Sequence, residues 1–313
     1  MAELTLKMAT GNYGHTLPLK DGSIASDRVG FDHVEVPVII NAFRRMIRDL
    51  EFDVSEMALS TYLCARAHGT PITALPIFLV RAFHHGSISY NTESAITTPT
   101  DLHGRRVGVR AYTVTTGVWI RGILQTQYGV DLDKVTWVIN SDEHVAAYQA
   151  PSNVESVSFD RSLAELLAEG EIDAAIGVPA SPEKGIELLI PGAESAAVAS
   201  FRKTNVYPIN HTLVVRNEHL SANPWLATEI FSLFRSGKQQ FLPQLPTGEP
   251  ISSYDAVHKH IHSTIGGDPL PFGIEANRDT LEEFIQYNVD QKVIPRKVSL
   301  EEVFEATTLE LTD

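Results

Sequence analysis

The sequence predicts an α/β protein built as a two-lobed clamp, with one α/β unit inserted within another. Three observations carry this. Short apolar strands alternate with amphipathic helices along the chain, the pattern of a sheet covered by helices. One stretch, 97–138 (TTPTDLHGRRVGVRAYTVTTGVWIRGILQTQYGVDLDKVTWV), reads as a complete strand–loop–helix–strand unit. Two polar crossovers, near 91–99 and 199–210, bracket that unit. The expected lobes are residues 1–95 with 205–313, and residues 96–204. A small ligand is expected in the cleft between them.

The bulk numbers fit this plan. A chain of 313 residues is long enough for two domains of about 150 residues each. Hydrophobic content of 43% with 20% charged residues suits a globular protein. A formal charge of −14 argues against nucleic acid, because phosphate binding needs a basic face. The one cysteine, Cys64, lies in the apolar run LSTYLCARA and reads as a buried structural thiol. The N-terminal MAELTLKMATGNYGH shows neither a basic nor a long apolar signal region, and no run reaches the ~18 apolar residues of a membrane span. The expectation is therefore a cytoplasmic, homo-oligomeric protein with no membrane partner.

In order, Leu4–Ala9 alternates as a first strand and ends in a Gly-rich turn, TGNYGH, where Tyr13 and His15 either face a ligand or are ordinary loop residues. Val34–Val36 reads as a short second strand and Ala42–Leu50 as a helix. The segment 53–60 reads as a strand and turn into a helix Thr61–Ala67 capped by Ser60. Ile72–Val80 (ITALPIFLV) is apolar enough to be a buried strand, and it runs into Arg81, His84 and His85. An arginine and two histidines after a buried strand are costly unless paired or in use, and imidazole is easily tuned for proton transfer; the alternative is a solvated basic loop. Ser87–Tyr90 continues as a strand.

Within the 97–138 unit the strand is Arg106–Arg110, the helix runs from Thr115 to Tyr128, and the closing strand is Val135–Val138. Thr115 and Thr116 stand at the helix N-cap, where unpaired amides and the helix dipole favour an anion. Arg110 ends the strand with a guanidinium that can grip a carboxylate; the alternative is that Thr115 and Thr116 are ordinary caps and Arg110 a solvated surface residue. Residues 140–158 read as irregular. A helix Arg161–Glu169, a strand Ile172–Gly177, a Pro-rich loop at 178–182 and a strand His211–Val215 follow. Helices at Trp225–Leu242, Tyr254–Thr264, Arg278–Gln291 and Leu300–Phe304 complete the chain.

The phrases DLHGRRVGVRAYTVTTGVWIRGIL, GVDLDKVTWV and LAEGEIDAAIG resemble type II periplasmic binding proteins. With SEMALSTYL and the C-terminal GGDPLPFGIEANRDTLEEFIQYNVDQKVIPRKVSLEEVF (266–304), the chain resembles the 4,5-dihydroxyphthalate decarboxylase family over nearly its whole length. The resemblance implies a two-lobed type II periplasmic-binding-protein-like fold and loss of CO2 from a hydroxylated aromatic dicarboxylic acid, by acid/base catalysis and without a cofactor. By position in such a fold, Arg81, Arg110, Thr115 and Thr116 would hold carboxylates. His84 or His85 would be the acid or base, with His211 a second proton carrier. Tyr13, His15, Ser60 and Tyr62 would line the other lobe.

Competing readings stay open at this level. A solute-binding protein for a small aromatic carboxylate, without catalysis, uses the same clamp. A divalent ion on His15, His84 and His85 is an alternative to the metal-free site. The run HKHIH places His258 and His262 on one helix face, read as solvated, and Glu56 and Asp173 read as structural.

Overall fold

The computed structural model describes residues 2–313 and divides the chain into two compact units. The first comprises Met1–Ala82, Ile209–Glu282 and Val298–Asp313; the second comprises Phe83–Pro208 and Glu283–Lys297. The boundaries fall before 95 and after 204 because β5 (Ile88–Asn91) pairs with strands of the second sheet, and the strand Ile209–Arg216 belongs wholly to the first.

The first unit is built on β1 (Leu4–Ala9), β2 (Val29–His33), β3 (Val54–Ala58), β4 (Ile72–Arg81) and β11 (Ile209–Arg216), in the order β2-β1-β3-β11-β4. β1 runs parallel to β2 and β3, whereas β11 is antiparallel to β3 and β4. Every residue of β4 is buried, as its apolar run foretold. Pro76 sits inside that strand, where the register against β11 shifts; a proline without an N–H is tolerated at such a bulge. Leu75, Ile77, Leu79, Leu213, Val215, Phe231 and Phe234 form the core beneath this sheet.

The second unit has β5, β6 (Arg106–Val109), β7 (Thr136–Ile139), β8 (Val154–Ser156), β9 (Ala174–Ile176) and β10 (Ile186–Leu188), ordered β10-β5-β9-β6-β7-β8. The helix Thr115–Tyr128 lies where the apolar spacing put it and buries Val118, Trp119, Ile120, Ile123 and Leu124. Trp119 stacks on Phe284 at 4.5 Å between ring centroids.

Several expectations need correction. The second strand is Val29–His33 rather than Val34–Val36, since the ladder with β1 ends at His33 and Pro37 soon follows. The 199–210 crossover begins with helix rather than coil. The Ala-rich run Ala193–Thr204 is helical and stops at Asn205, whose φ of 58° is the left-handed conformation that ends helices. β8 and β10, three residues each, are too short to show a period. Ser60 lies inside the helix Leu59–Ala67, whose cap position is Ala58. Val114, not Thr115 or Thr116, caps the helix Thr115–Tyr128.

Candidate active site

In the first unit, the turn after β1 and the middle of β3 and β11 converge on one carboxylate. Glu56 is the third residue of β3 and fully buried. β3 and β11 pair so that His211 lies opposite Ala58, two residues along the same face from Glu56. Diagonal cross-strand neighbours of this kind reach each other readily, and His211 Nδ1 stands 2.6 Å from Glu56 Oε1. Tyr13 donates its hydroxyl to the same oxygen at 2.7 Å, and the Gly11 amide donates to Oε2 at 2.8 Å. Three donors therefore satisfy a charge that would otherwise be very costly to bury.

The turn that delivers Tyr13 is fixed by its own chemistry. The Thr16 hydroxyl donates to the Gly11 carbonyl at 2.7 Å and accepts from the Tyr13 amide at 3.0 Å. Gly11 and Gly14 are required by close approach: a Cβ on Gly11 would lie 2.3 Å from the Tyr13 ring, and one on Gly14 2.1 Å from Phe241. Tyr13 stacks on His15 at 5.3 Å and meets Tyr254 edge-on at 5.6 Å. Burial, then the charge and hydrogen bond of Glu56, push the Tyr13 hydroxyl well above its ordinary range. It is a fixed donor, not a proton carrier near neutrality.

The carboxylate sets the tautomer of His211. An acceptor 2.6 Å from Nδ1 keeps the proton there, so the neutral ring carries its lone pair on Nε2. An oriented imidazole with a basic Nε2 is the arrangement of a general base. Phe43 and Tyr254 contact the ring edge-on at 5.0 and 6.2 Å, giving it apolar walls.

Tyr62 takes no part in this cluster. Its hydroxyl donates to the Val303 carbonyl and accepts from the Ala74 amide at 3.1 Å, which ties it into the core; burial pushes it up to about 12. Ser60 is fully buried in its helix. Arg81 is buried as well and donates to Asn277 Oδ1 at 2.5 Å. His15 is fully buried beside His258, their ring centroids 6.1 Å apart. The solvated face expected at HKHIH is thus wrong for His258, which is 0% exposed, because the helix Ser253–Ile265 packs that side inward. Burial holds both rings neutral, His15 well below its ordinary value and His258 at about 3, with Arg81 also lowering His258.

In the second unit, His84 and His85 are buried rather than solvated. His85 Nε2 lies 2.9 Å from Gln127 Oε1 and His84 Nδ1 3.4 Å from Ser87 Oγ. Burial lowers His85. Arg110 follows β6 half-buried, and Thr115 is buried in the first helical turn. The amides just before that helix are engaged from within: Tyr112 and Thr113 donate to the Glu143 carboxylate at 2.5 and 3.1 Å. The fully buried Arg121 was not singled out in the sequence. It donates to the Tyr112 carbonyl at 2.5 Å and to Gln291 Oε1 at 2.7 Å, and its guanidinium stacks 3.9 Å over the Tyr112 ring. Glu56, Asp255 and His258 were also missed as site residues. The signal for Glu56 was a lone acid inside a fully buried strand.

Residues 51–150 match the family model described as NMT1/THI5 like. The 4,5-dihydroxyphthalate decarboxylase of Comamonas testosteroni is 29% identical, over 99% of this chain and 99% of its own length. The protein of the same name from Pseudomonas putida is 35% identical over 58% of this chain and 73% of its own. Among solved structures, the alkanesulfonate-binding protein SsuA from Xanthomonas axonopodis pv. citri aligns with a TM-score of 0.54 at 13% identity, covering 97% of this chain and 99% of that one. That likeness shows the type II periplasmic-binding-protein-like fold. The sequence relationship goes further, and with it the chain belongs to the 4,5-dihydroxyphthalate decarboxylase family.

Proposed function

We propose that this protein is a carboxy-lyase that converts 4,5-dihydroxyphthalate to protocatechuate and CO2. The names of its relatives support the reaction. The observation that carries the mechanism is the Glu56–His211 pair, with Nδ1 anchored 2.6 Å from the carboxylate and Nε2 left basic.

Each carboxyl group of this substrate lies para to a ring hydroxyl. His211 Nε2 takes the phenolic proton, and the oxygen's electron pair moves through the ring to the para carbon. A proton added to that carbon gives a dienone. Breaking the bond to the carboxylate then sends its electron pair back through the ring to the para oxygen, the ring becoming aromatic again as CO2 leaves, and that oxygen recovers its proton from the His211 imidazolium. The net change is one proton taken up and one CO2 released per turnover. Glu56 stabilises the imidazolium formed on His211, and Tyr13 and the Gly11 amide hold Glu56 in place. No cofactor takes part in these steps, since the ring itself accepts the electrons.

The test is CO2 release and ultraviolet change on mixing the purified protein with 4,5-dihydroxyphthalate. The expected result is turnover that falls by roughly 10²–10⁴ in His211→Ala, the usual contribution of a positioned base. Substituting His84 and His85 in turn reads whether either delivers the proton to carbon. Saturable binding without CO2 would instead leave a binding protein for an aromatic carboxylate. Light scattering of the same preparation reads the homo-oligomeric state that belongs to this proposal.

A further inference from the structure

His15, Asp255 and His258 form a second cluster in the first unit, for which the decarboxylation mechanism has no use. The three side chains are buried at 0%, 1% and 0% exposure. Their potential ligand atoms all lie within 4.8 Å of one another. Among the described residues, neither ring nitrogen of His15 nor of His258 has a hydrogen-bond partner. The Leu79 backbone faces His15 without good hydrogen-bond geometry. Four unsatisfied imidazole nitrogens in one place are an expensive arrangement, since each buried polar group left unpaired costs about 1–3 kcal/mol. Natural interiors rarely carry such groups without a partner.

We infer that His15, Asp255 and His258 bind a divalent first-row transition-metal ion, with zinc as the representative, and that this ion pins the turn Gly11–Thr16 to the helix Ser253–Ile265. Two neutral imidazoles and one carboxylate are a donor set for such an ion rather than for calcium or magnesium, which take oxygen ligands. Ligands at about 2.1 Å from one ion stand no more than about 4.2 Å apart, so a pair at the outer limit of the cluster closes by side-chain rotation.

The surroundings fit. The Asp255 carboxylate is oriented by the Gly14 amide, 3.2 Å from each oxygen, and by the Ser252 amide at 3.1 Å, the kind of outer support that metal-binding carboxylates have. A pocket lined by Gly14, Phe241, Asp255 and Lys259 reaches the carboxylate and offers an ion a way in. Two cations act on the cluster. Lys238 is already compensated by Asp268, 2.6 Å away, and by Asp313. Arg81 is held by Asn277. Of the two, Lys238 is thus balanced by carboxylates and adds no uncompensated charge beside the donors. Three protein ligands leave the fourth position of a tetrahedral ion to a water.

The inference does not rest on the proposed reaction, and its test needs no substrate. Zinc is titrated calorimetrically into the full chain after chelator treatment, with thermal unfolding followed in parallel. The expected result is saturable binding of one ion per chain with a rise in Tm, as for any ligand that binds only the folded state. Binding should be lost in His258→Gln and Asp255→Asn and kept in His260→Ala, on the exposed side of the same helix. Absence of saturable binding by the unaltered chain overturns the inference. So does binding that survives His258→Gln or disappears in His260→Ala. Should the first two variants fail to fold, cobalt added to the unaltered protein decides: ligand-field absorption of a nitrogen- and oxygen-coordinated ion supports the site, and the spectrum of the free aqua ion overturns it.

Discussion

At the scale of single residues, Glu56 is the position on which most depends. Its two oxygens receive donors from Gly11, Tyr13 and His211, so an amide in its place must set an N–H against a donor on one side. Glu56→Gln is expected to destabilise the fold by about 1–3 kcal/mol in urea titration, the price of an unsatisfied buried donor. Its effect on turnover should fall on kcat rather than KM, because the pair stabilises charge only as the phenolic proton moves. An unchanged kcat would remove Glu56 from the proposed mechanism. Tyr13→Phe tests the hydrogen bond separately. It keeps the stacking on His15 and deletes one donor, so stability should drop by about 1–2 kcal/mol with a smaller loss of turnover than for His211→Ala.

At the scale of elements, the site depends on close backbone approach between the turn after β1 and the helix Leu226–Phe241. A Cβ on Gly237 would lie 2.6 Å from the His15 carbonyl oxygen and 2.8 Å from Leu19 Cδ1. Alanine is the better helix former by about 1 kcal/mol, yet the clash with backbone cannot be relieved by rotating a side chain. The two effects oppose, and overpacking of about 1–3 kcal/mol should win. Gly237→Ala is therefore expected to lower the urea midpoint, and a stabilised variant would show that the turn can move away. The same helix carries Lys238, 1% exposed, with its ammonium on Asp268, the Leu270 carbonyl at 2.9 Å and Asp313. Replacing it by alanine leaves two carboxylates, each nearly a third exposed, without their cation, and a loss of about 1–3 kcal/mol is expected from chemical unfolding.

At the scale of the whole molecule, buried tyrosines govern alkaline stability. Tyr62 in the first unit is pushed up to about 12 by burial, and Tyr13 and Tyr287 are raised for the same leading reason. In the unfolded chain these hydroxyls ionise near pH 10. Between pH 10 and 12 the unfolded state therefore loses protons that the folded state keeps. Stability is full below pH 10 and declines as pH rises, by up to about 1.4 kcal/mol per pH unit for each such group. Tyr62→Phe should lower stability at pH 8, because the Val303 carbonyl and Ala74 amide lose their partner, yet flatten the decline above pH 10. Urea titrations at pH 8, 10 and 11 read both effects. A slope unchanged by the substitution would mean that Tyr62 titrates alike in both states.

The sequence by itself determined the α/β class, the fully buried β4, and the helix Thr115–Tyr128 with its apolar face. These are written in residues a few positions apart, where periodicity and turn chemistry act. It also carried the family, which the relatives' identity over the chain bears out. Only the tertiary structure decided what the polar residues do. Glu56 meets His211 across 155 positions through the register of two antiparallel strands, and Gly14 meets Asp255 across 241. His258 looked like one histidine of a solvated stripe until the packing of its helix placed it beside His15. Burial and strand register are properties of the folded chain, and they turn an unremarkable glutamate into an anchor and bury a histidine that reads as solvated.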